Sequence, residues 1–213
     1  MEHLNQIRAR MRGDILQQKI VRDLFEGNLD PAAYVRYLEN IWYYAQHSSI
    51  VIGLAGARAV SSHPKLADYL LHHAREELGH DEWALEDLAA LGVPMERVKA
   101  SRPVPACAAM VGMEYFVAGH GNPVGIFGWL FTLEAMGDDL GHAVADRVKQ
   151  GLDLPKGVKF LAGHGTADED HVKDIIEQIE KNVPADDLAD VHFVAEVMAD
   201  LYVRIFTEIG EGK

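Results

Sequence analysis

Three stretches of this chain set metal-ligand side chains at helical spacing. The first is His164-x-x-x-Asp168-x-x-His171, within FLAGHGTADEDHVKDIIEQI. Steps of four and three residues put an imidazole, a carboxylate and a second imidazole on one stripe of a helix. Such a donor set suits non-heme iron or a similar transition metal. The second is Glu77-x-x-His80 in HHAREELGHDEW, with Asp81 on the same face and His73 one turn earlier. The third is Glu134, which lies inside the apolar run WLFTLEAMG. A carboxylate embedded in apolar sequence needs a partner when buried. Together the three stretches describe a dinuclear metal site assembled from separate helices of a bundle.

Each stretch has a plainer reading. Glu77 and His80 sit among Arg75, Glu76, Asp81, Glu82, Glu86 and Asp87, which could form a solvated acidic face. Glu134 could pair with an arginine of a neighbouring helix. The His164 segment is polar and contains glycine, as a helix start does. Glu39, in YVRYLENIWYYAQHSS, is either a further carboxylate ligand from another helix or a salt-bridged surface residue. The joint occurrence of the donors favours the metal. Four more residues are read as lining a substrate cavity: Tyr43, His47, Glu114 and Phe116. His142 is read as a surface residue.

The elements that must hold these residues are helices. Apolar positions recur at helical spacing throughout, and no segment alternates as a strand would. The breaks at Gly27-Asn28-Leu29-Asp30-Pro31, Ser61-Ser62-His63-Pro64, Gly92-Val93-Pro94, Gly119-His120-Gly121-Asn122-Pro123 and Gly151-Leu152-Asp153-Leu154-Pro155 divide the chain into about seven helices. These span about 4–26, 31–60, 65–91, 106–119, 123–151, 157–182 and 185–209. Asp30 followed by Pro31 reads as an N-cap with proline at the first helical position. The expectation is an all-α fold, with residues 1–213 forming one domain.

Composition narrows the function. A net charge of −13 disfavours nucleic acid and anionic membrane surfaces as partners. The one cysteine, Cys107, excludes an internal disulfide and any multi-cysteine metal site. The polar N-terminal stretch does not read as a signal peptide, and no stretch reads as a membrane span. A cytoplasmic protein is expected. Apolar and aromatic residues exceed what one bundle buries, which leads to the expectation of a symmetric homodimer.

The quoted segments carry a family resemblance. LFEGNLDPAAYVRYLENIWYYAQHS resembles the opening of the heme-oxygenase-like helical fold, shared by heme oxygenases, thiaminase-type proteins and the oxidase that closes pyrroloquinoline quinone. HHAREELGHDEWALEDLAALG, TLEAMGDDLGHAVADRV and FLAGHGTADEDH are similar to the diiron oxidase branch of that superfamily. The resemblance implies that Glu77, His80, Glu134, His164, Asp168 and His171 are metal ligands, with Glu39 as the second-helix carboxylate. It gives Glu77, Glu134 and Asp168 catalytic weight. It implies two Fe2+ ions, O2 as co-substrate, and oxidation of a small amine, amino acid or fatty acid.

Sibling branches match less well. Heme oxygenases carry a proximal histidine in the first helix, where this chain reads RARMRGDILQQK. Thiaminase-type members need a late cysteine, and Cys107 lies in another segment. A heme-binding protein and a metal-free ligand carrier of the same fold are the alternatives.

Overall fold

The computed structural model describes residues 1–152 and 157–212, and for 164–170 the helical backbone alone. Ten α-helices account for nearly all of it, and no strand occurs among the described residues. They are α1 (Glu2–Leu16), α2 (Lys19–Phe25), α3 (Pro31–Ala59), α4 (Pro64–Glu76), α5 (His80–Ala90), α6 (Met95–Ala100), α7 (Pro105–Gly119), α8 (Ile126–Gly151), α9 (Lys159–Asn182) and α10 (Leu188–Gly210). The all-α expectation holds, and the count of about seven is corrected to ten.

The extra helices have physical causes. The expected 4–26 helix breaks at Gln18, whose backbone is extended. The apolar stripe Ile7, Met11, Ile15 steps by four and then by five to Ile20, so a break restores its phase. The expected 65–91 helix breaks at Gly79, which takes φ +87°. Only glycine enters that region without strain. A short α6 occupies part of the segment read as a loop before Pro103. At the start of α3 the reading was correct: Asp30 Oδ1 accepts from the Ala32 N–H at 2.9 Å, with Pro31 in the first turn.

Two helices do most to position the site. α8 carries the buried run Phe127, Trp129, Leu130 and Phe131 through the core. Gly128 lets it lie directly on α10: a Cβ there would sit 2.2 Å from the Val191 carbonyl oxygen. Arg8 of α1 braces α8 from outside, donating to Asp138 and Asp139 at 2.7 Å each. α9 is held at its N-terminus by the buried Asp87 of α5. The two Asp87 oxygens accept from the Lys159 and Phe160 N–H groups at 2.7 and 2.9 Å. The Tyr34 hydroxyl donates to the Gly157 carbonyl at 2.7 Å. Asp87→Ala removes two capping acceptors in a buried place. It is expected to lower stability by about 1–3 kcal/mol, read by urea denaturation, with Asp87→Asn recovering part of the loss.

No helix among the described residues is long and apolar enough to cross a membrane.

Candidate metal centre

Four donors converge where the end of α4 meets α8 and α9. His73 and Glu77 come one turn apart from α4 and its C-cap, Glu134 from α8, and His171 from α9. Each offers an atom within 4.8 Å of every other. Glu134 is central. One of its oxygens lies 3.3 Å from His73 Nε2 and the other 3.4 Å from His171 Nδ1. The two imidazoles meet edge to face at 4.8 Å. His80 Nδ1 flanks the group, 3.1 Å from Glu77 Oε1. Glu76 approaches from the more exposed side, 3.7 Å from His73 and 3.8 Å from His171.

The donor chemistry fits a transition metal. His73 is 1 % exposed, yet neither ring nitrogen makes a hydrogen bond, although carboxylates stand close to both. Leaving buried imidazole nitrogens unbonded is costly unless another species takes up their lone pairs. Glu77 and Glu134 are buried carboxylates brought together in the same space, which a cation would balance. The adjacent Glu134 holds the His171 imidazole above its ordinary range, against the opposing effect of burial. Nitrogen and oxygen donors without thiolate suit Fe2+ and similar divalent ions.

Packing fixes the donors. Tyr69 stacks on the His73 ring at 5.7 Å and 13°, and itself stacks on Phe127 of α8. Trp83 stacks on His80 at 4.2 Å and lies against the α9 backbone at Gly163, where a Cβ would come within 2.5 Å of the indole. α5 is thereby pressed against α9 beside the site.

The structure brings Glu77, Glu134 and His171 together as the sequence suggested, with His80 alongside. His164 and Asp168 fall outside the residues whose side chains are described. His73 was noted for its place one turn before Glu77 but not counted among the donors. Its signal was the four-residue step to Glu77 together with its neighbours Leu70 and Ala74 on a buried face.

Several expectations are corrected. Glu39 stands 3.5 Å from Arg97 Nε and does not join the cluster, so the salt-bridge alternative is the one realised. On α3, Tyr44, Ala45 and Ser48 line the cavity beside the cluster, and Glu39 is rotated about 140° from Tyr44 at 3.6 residues per turn. The same register turns Tyr43 and His47 away. His47 Nδ1 lies 3.1 Å from the Tyr115 hydroxyl, and Tyr43 packs on its ring. Phe116 is 57 % exposed, and Glu114 is fully buried on α7 outside the cavity lining. Burial pushes the Glu114 carboxyl well above the usual range. His142 is exposed, as expected.

The cavity itself is a slot of about 130 Å³ with Glu77 and Glu134 in its wall. Apart from Ser48 its remaining lining is apolar or aromatic, drawn mainly from α2, α3 and α8, with Phe160 and Leu161 of α9 and Tyr202 and Phe206 of α10.

A bundle of these helices enclosing a His/Glu donor cluster defines a class, and comparison with known proteins supplies the family. The family model for iron-containing redox enzymes matches residues 35–203. The chain belongs to that family. No curated protein matches it. Among solved structures it is similar to a domain of unknown function with a heme oxygenase-like fold from Shewanella denitrificans. Identity is 25 %, coverage 98 % of this chain and 90 % of that one, and the TM-score 0.89. A TenA homolog from Pseudomonas syringae pv. tomato aligns at 17 % identity over 100 % of this chain and 92 % of its own, with a TM-score of 0.77. A TenA homologue from P. horikoshii aligns at 15 % over 100 % and 98 %, also at 0.77. These last two likenesses establish the heme oxygenase-like fold alone.

Proposed function

We propose that this chain is a non-heme iron oxidase or oxygenase that uses O2 to oxidise a small molecule, with two Fe2+ ions held in the bundle. The observation that carries this reading is the buried cluster of His73, Glu77, Glu134 and His171 opening onto an apolar slot. Those four residues would hold iron with His80. His164 and Asp168 complete the set that the family resemblance implies. Bound iron supplies the electrons that reduce O2 while the substrate is oxidised.

The chain's own residues do the rest. The carboxylates of Glu77 and Glu134 counter the metal charge, and the imidazoles set its geometry. Tyr69 and Trp83 hold two of those imidazoles by stacking. The apolar slot excludes water from the reacting atoms and orients the substrate against the acidic end.

The test is an anaerobic Fe(II) titration followed by exposure to O2. Uptake of two irons per chain, then O2 consumption that depends on them, is the expected result. A chain that takes up no iron is a ligand carrier. One that gives a Soret band with added heme is a heme protein. The structure offers heme little: His3, the only histidine on α1, is tied to Glu196 at 2.8 Å on the surface.

A homodimer is expected to form through the outer face of α7 and the adjoining face of α3. Ala108, Ala109, Gly112 and Phe116 are exposed on α7, and Ile50 and Leu54 on α3, without a charge among them. Leu54 approaches α7 at Gly119. Exposed apolar side chains of this kind on so acidic a chain suit a copy of itself. Light scattering at micromolar concentration should give twice the chain mass, and Phe116→Asp should give a monomer. A monomeric parent protein would refute the expectation.

A further inference from the structure

We infer that Glu76 positions both imidazoles of the cluster from outside, and so leaves His73 Nε2 and His171 Nδ1 as the nitrogens that take a metal. The inference rests on the metal-binding reading of the site and deepens it. It does not depend on the O2 chemistry proposed above.

Four distances carry it. Glu134 and Glu76 stand on opposite sides of the same two rings. On the inner side, the Glu134 oxygens lie 3.3 Å from His73 Nε2 and 3.4 Å from His171 Nδ1. On the outer side, a single oxygen, Glu76 Oε2, lies 3.7 Å from His73 Nδ1 and 3.8 Å from His171 Nε2. All four ring nitrogens therefore face a carboxylate, and each carboxylate faces one nitrogen of each ring. The inner one is buried and the outer one half-exposed, with side-chain exposures of 8 % and 41 %.

The local sequence prepares this arrangement. His72, His73, Glu76 and Glu77 occupy the last turn of α4 and its C-cap. The four-residue step from His73 places Glu77 in the cluster, and the three-residue step places Glu76 on the outer edge of the ring. The four-residue step from His72 serves the other Glu76 oxygen: His72 Nε2 lies 3.2 Å from Glu76 Oε1. One oxygen of Glu76 is thus turned to the surface histidine and the other to the two buried rings.

Stacking alone does not orient an imidazole. Tyr69 fixes the plane of His73, at an interplanar angle of 13°. A half-turn of the ring keeps that plane but exchanges nitrogen for carbon at both edges, and a stacked neighbour is nearly indifferent to the exchange. A carboxylate is not. The nitrogen that an imidazole offers to a metal is set by the hydrogen bond that its other nitrogen makes. Distances of 3.7 and 3.8 Å are longer than hydrogen bonds, so Glu76 must close on the rings by about 1 Å to accept from them. At the exposed end of α4 it can do so without displacing the core. Its one oxygen would then accept from His73 Nδ1–H and His171 Nε2–H together.

The test is titration with Co2+, which takes the same nitrogen and oxygen donors as Fe2+ and is followed by its visible absorption. Glu76→Ala should weaken Co2+ binding by about 10–100-fold, the usual cost of removing a group that orients a metal-bound imidazole. Alanine favours the helix, and circular dichroism of the same samples reads the fold. Glu82→Ala, which removes a like charge from the exposed side of α5, should lose far less. Glu76→Gln keeps an acceptor oxygen without the charge and should recover part of the affinity. The signature lies in the proton NMR spectrum of the cobalt-loaded protein. Two of its strongly shifted imidazole N–H signals should exchange slowly with water in the parent, vanish in Glu76→Ala and return in Glu76→Gln. A loss in Glu76→Ala no larger than in Glu82→Ala, N–H signals unchanged by Glu76→Ala, or a Glu76→Gln variant no better than Glu76→Ala would overturn the inference. A parent protein that takes up no Co2+ overturns it together with the metal-binding reading. Co2+ binding that depends on Glu76, without O2 consumption by the iron-loaded protein, keeps the inference and removes the proposed reaction.

Discussion

Glu134→Gln is expected to reduce Fe(II) affinity by more than about a hundredfold while leaving the fold intact. Loss of a group that merely orients a metal ligand costs roughly 10–100-fold, and a direct ligand should cost more. Glu134 reaches His73 with one oxygen and His171 with the other. It is therefore the residue through which α4 and α9 share a centre. Glutamine preserves the volume and a carbonyl acceptor but removes the negative charge. The packed neighbours, Phe131, Ala135 and Met136, are untouched. The experiment is an anaerobic iron titration with circular dichroism of the same samples. His142→Ala, on the exposed side of α8, is the control and should bind iron as the parent does. Parent-like iron uptake by Glu134→Gln would sink the assignment of the site.

The second large effect concerns stability. Gly128→Ala is expected to destabilise the protein by at least about 2 kcal/mol, although alanine is the better helix former by about 0.5–1 kcal/mol. The added Cβ would lie 2.2 Å from the Val191 oxygen and 2.7 Å from the Ala195 nitrogen. Both are backbone atoms of α10, so no rotamer change relieves the clash and the two helices must separate. Gly13→Ala provides the contrast, since nothing lies within 4 Å of the added carbon. There the propensity gain should appear undiminished. Urea denaturation of the two variants beside the parent decides the matter. A stabilised Gly128→Ala would mean that α8 and α10 do not meet backbone to backbone.

How far the sequence disclosed this site depends on the residue. Glu134 was legible because an acid among tryptophan, leucine and phenylalanine has few explanations. Glu39 looked the same for the same reason, in a run just as aromatic. The pattern could not say which side of α3 would face the cavity, and 140° of helix separates the cavity-lining Tyr44 from Glu39 in its salt bridge to Arg97. His73 was obscured by its neighbours His72, Arg75 and Glu76, which make that stretch read as solvated although its own side chain is buried. The apolar rhythm from Leu70 to Leu88 continues across Gly79, so periodicity alone joins α4 to α5. Only the glycine's backbone conformation separates them. The contact at Gly128 was not legible at all, because it depends on α10, more than sixty residues away.

The donors come from three stretches far apart in sequence, around residues 73–77, 134 and 171. A metal held by all of them would close two long loops of chain at a single point. The one cysteine, Cys107, is buried and unpaired, so no covalent cross-link performs that task. Closing loops of tens of residues restricts the unfolded chain much as a disulfide does, and in the chain-entropy view that is worth about 3–4 kcal/mol. Iron in this position would be a reversible staple as well as a reagent, and the protein's resistance to unfolding would follow the supply of the metal.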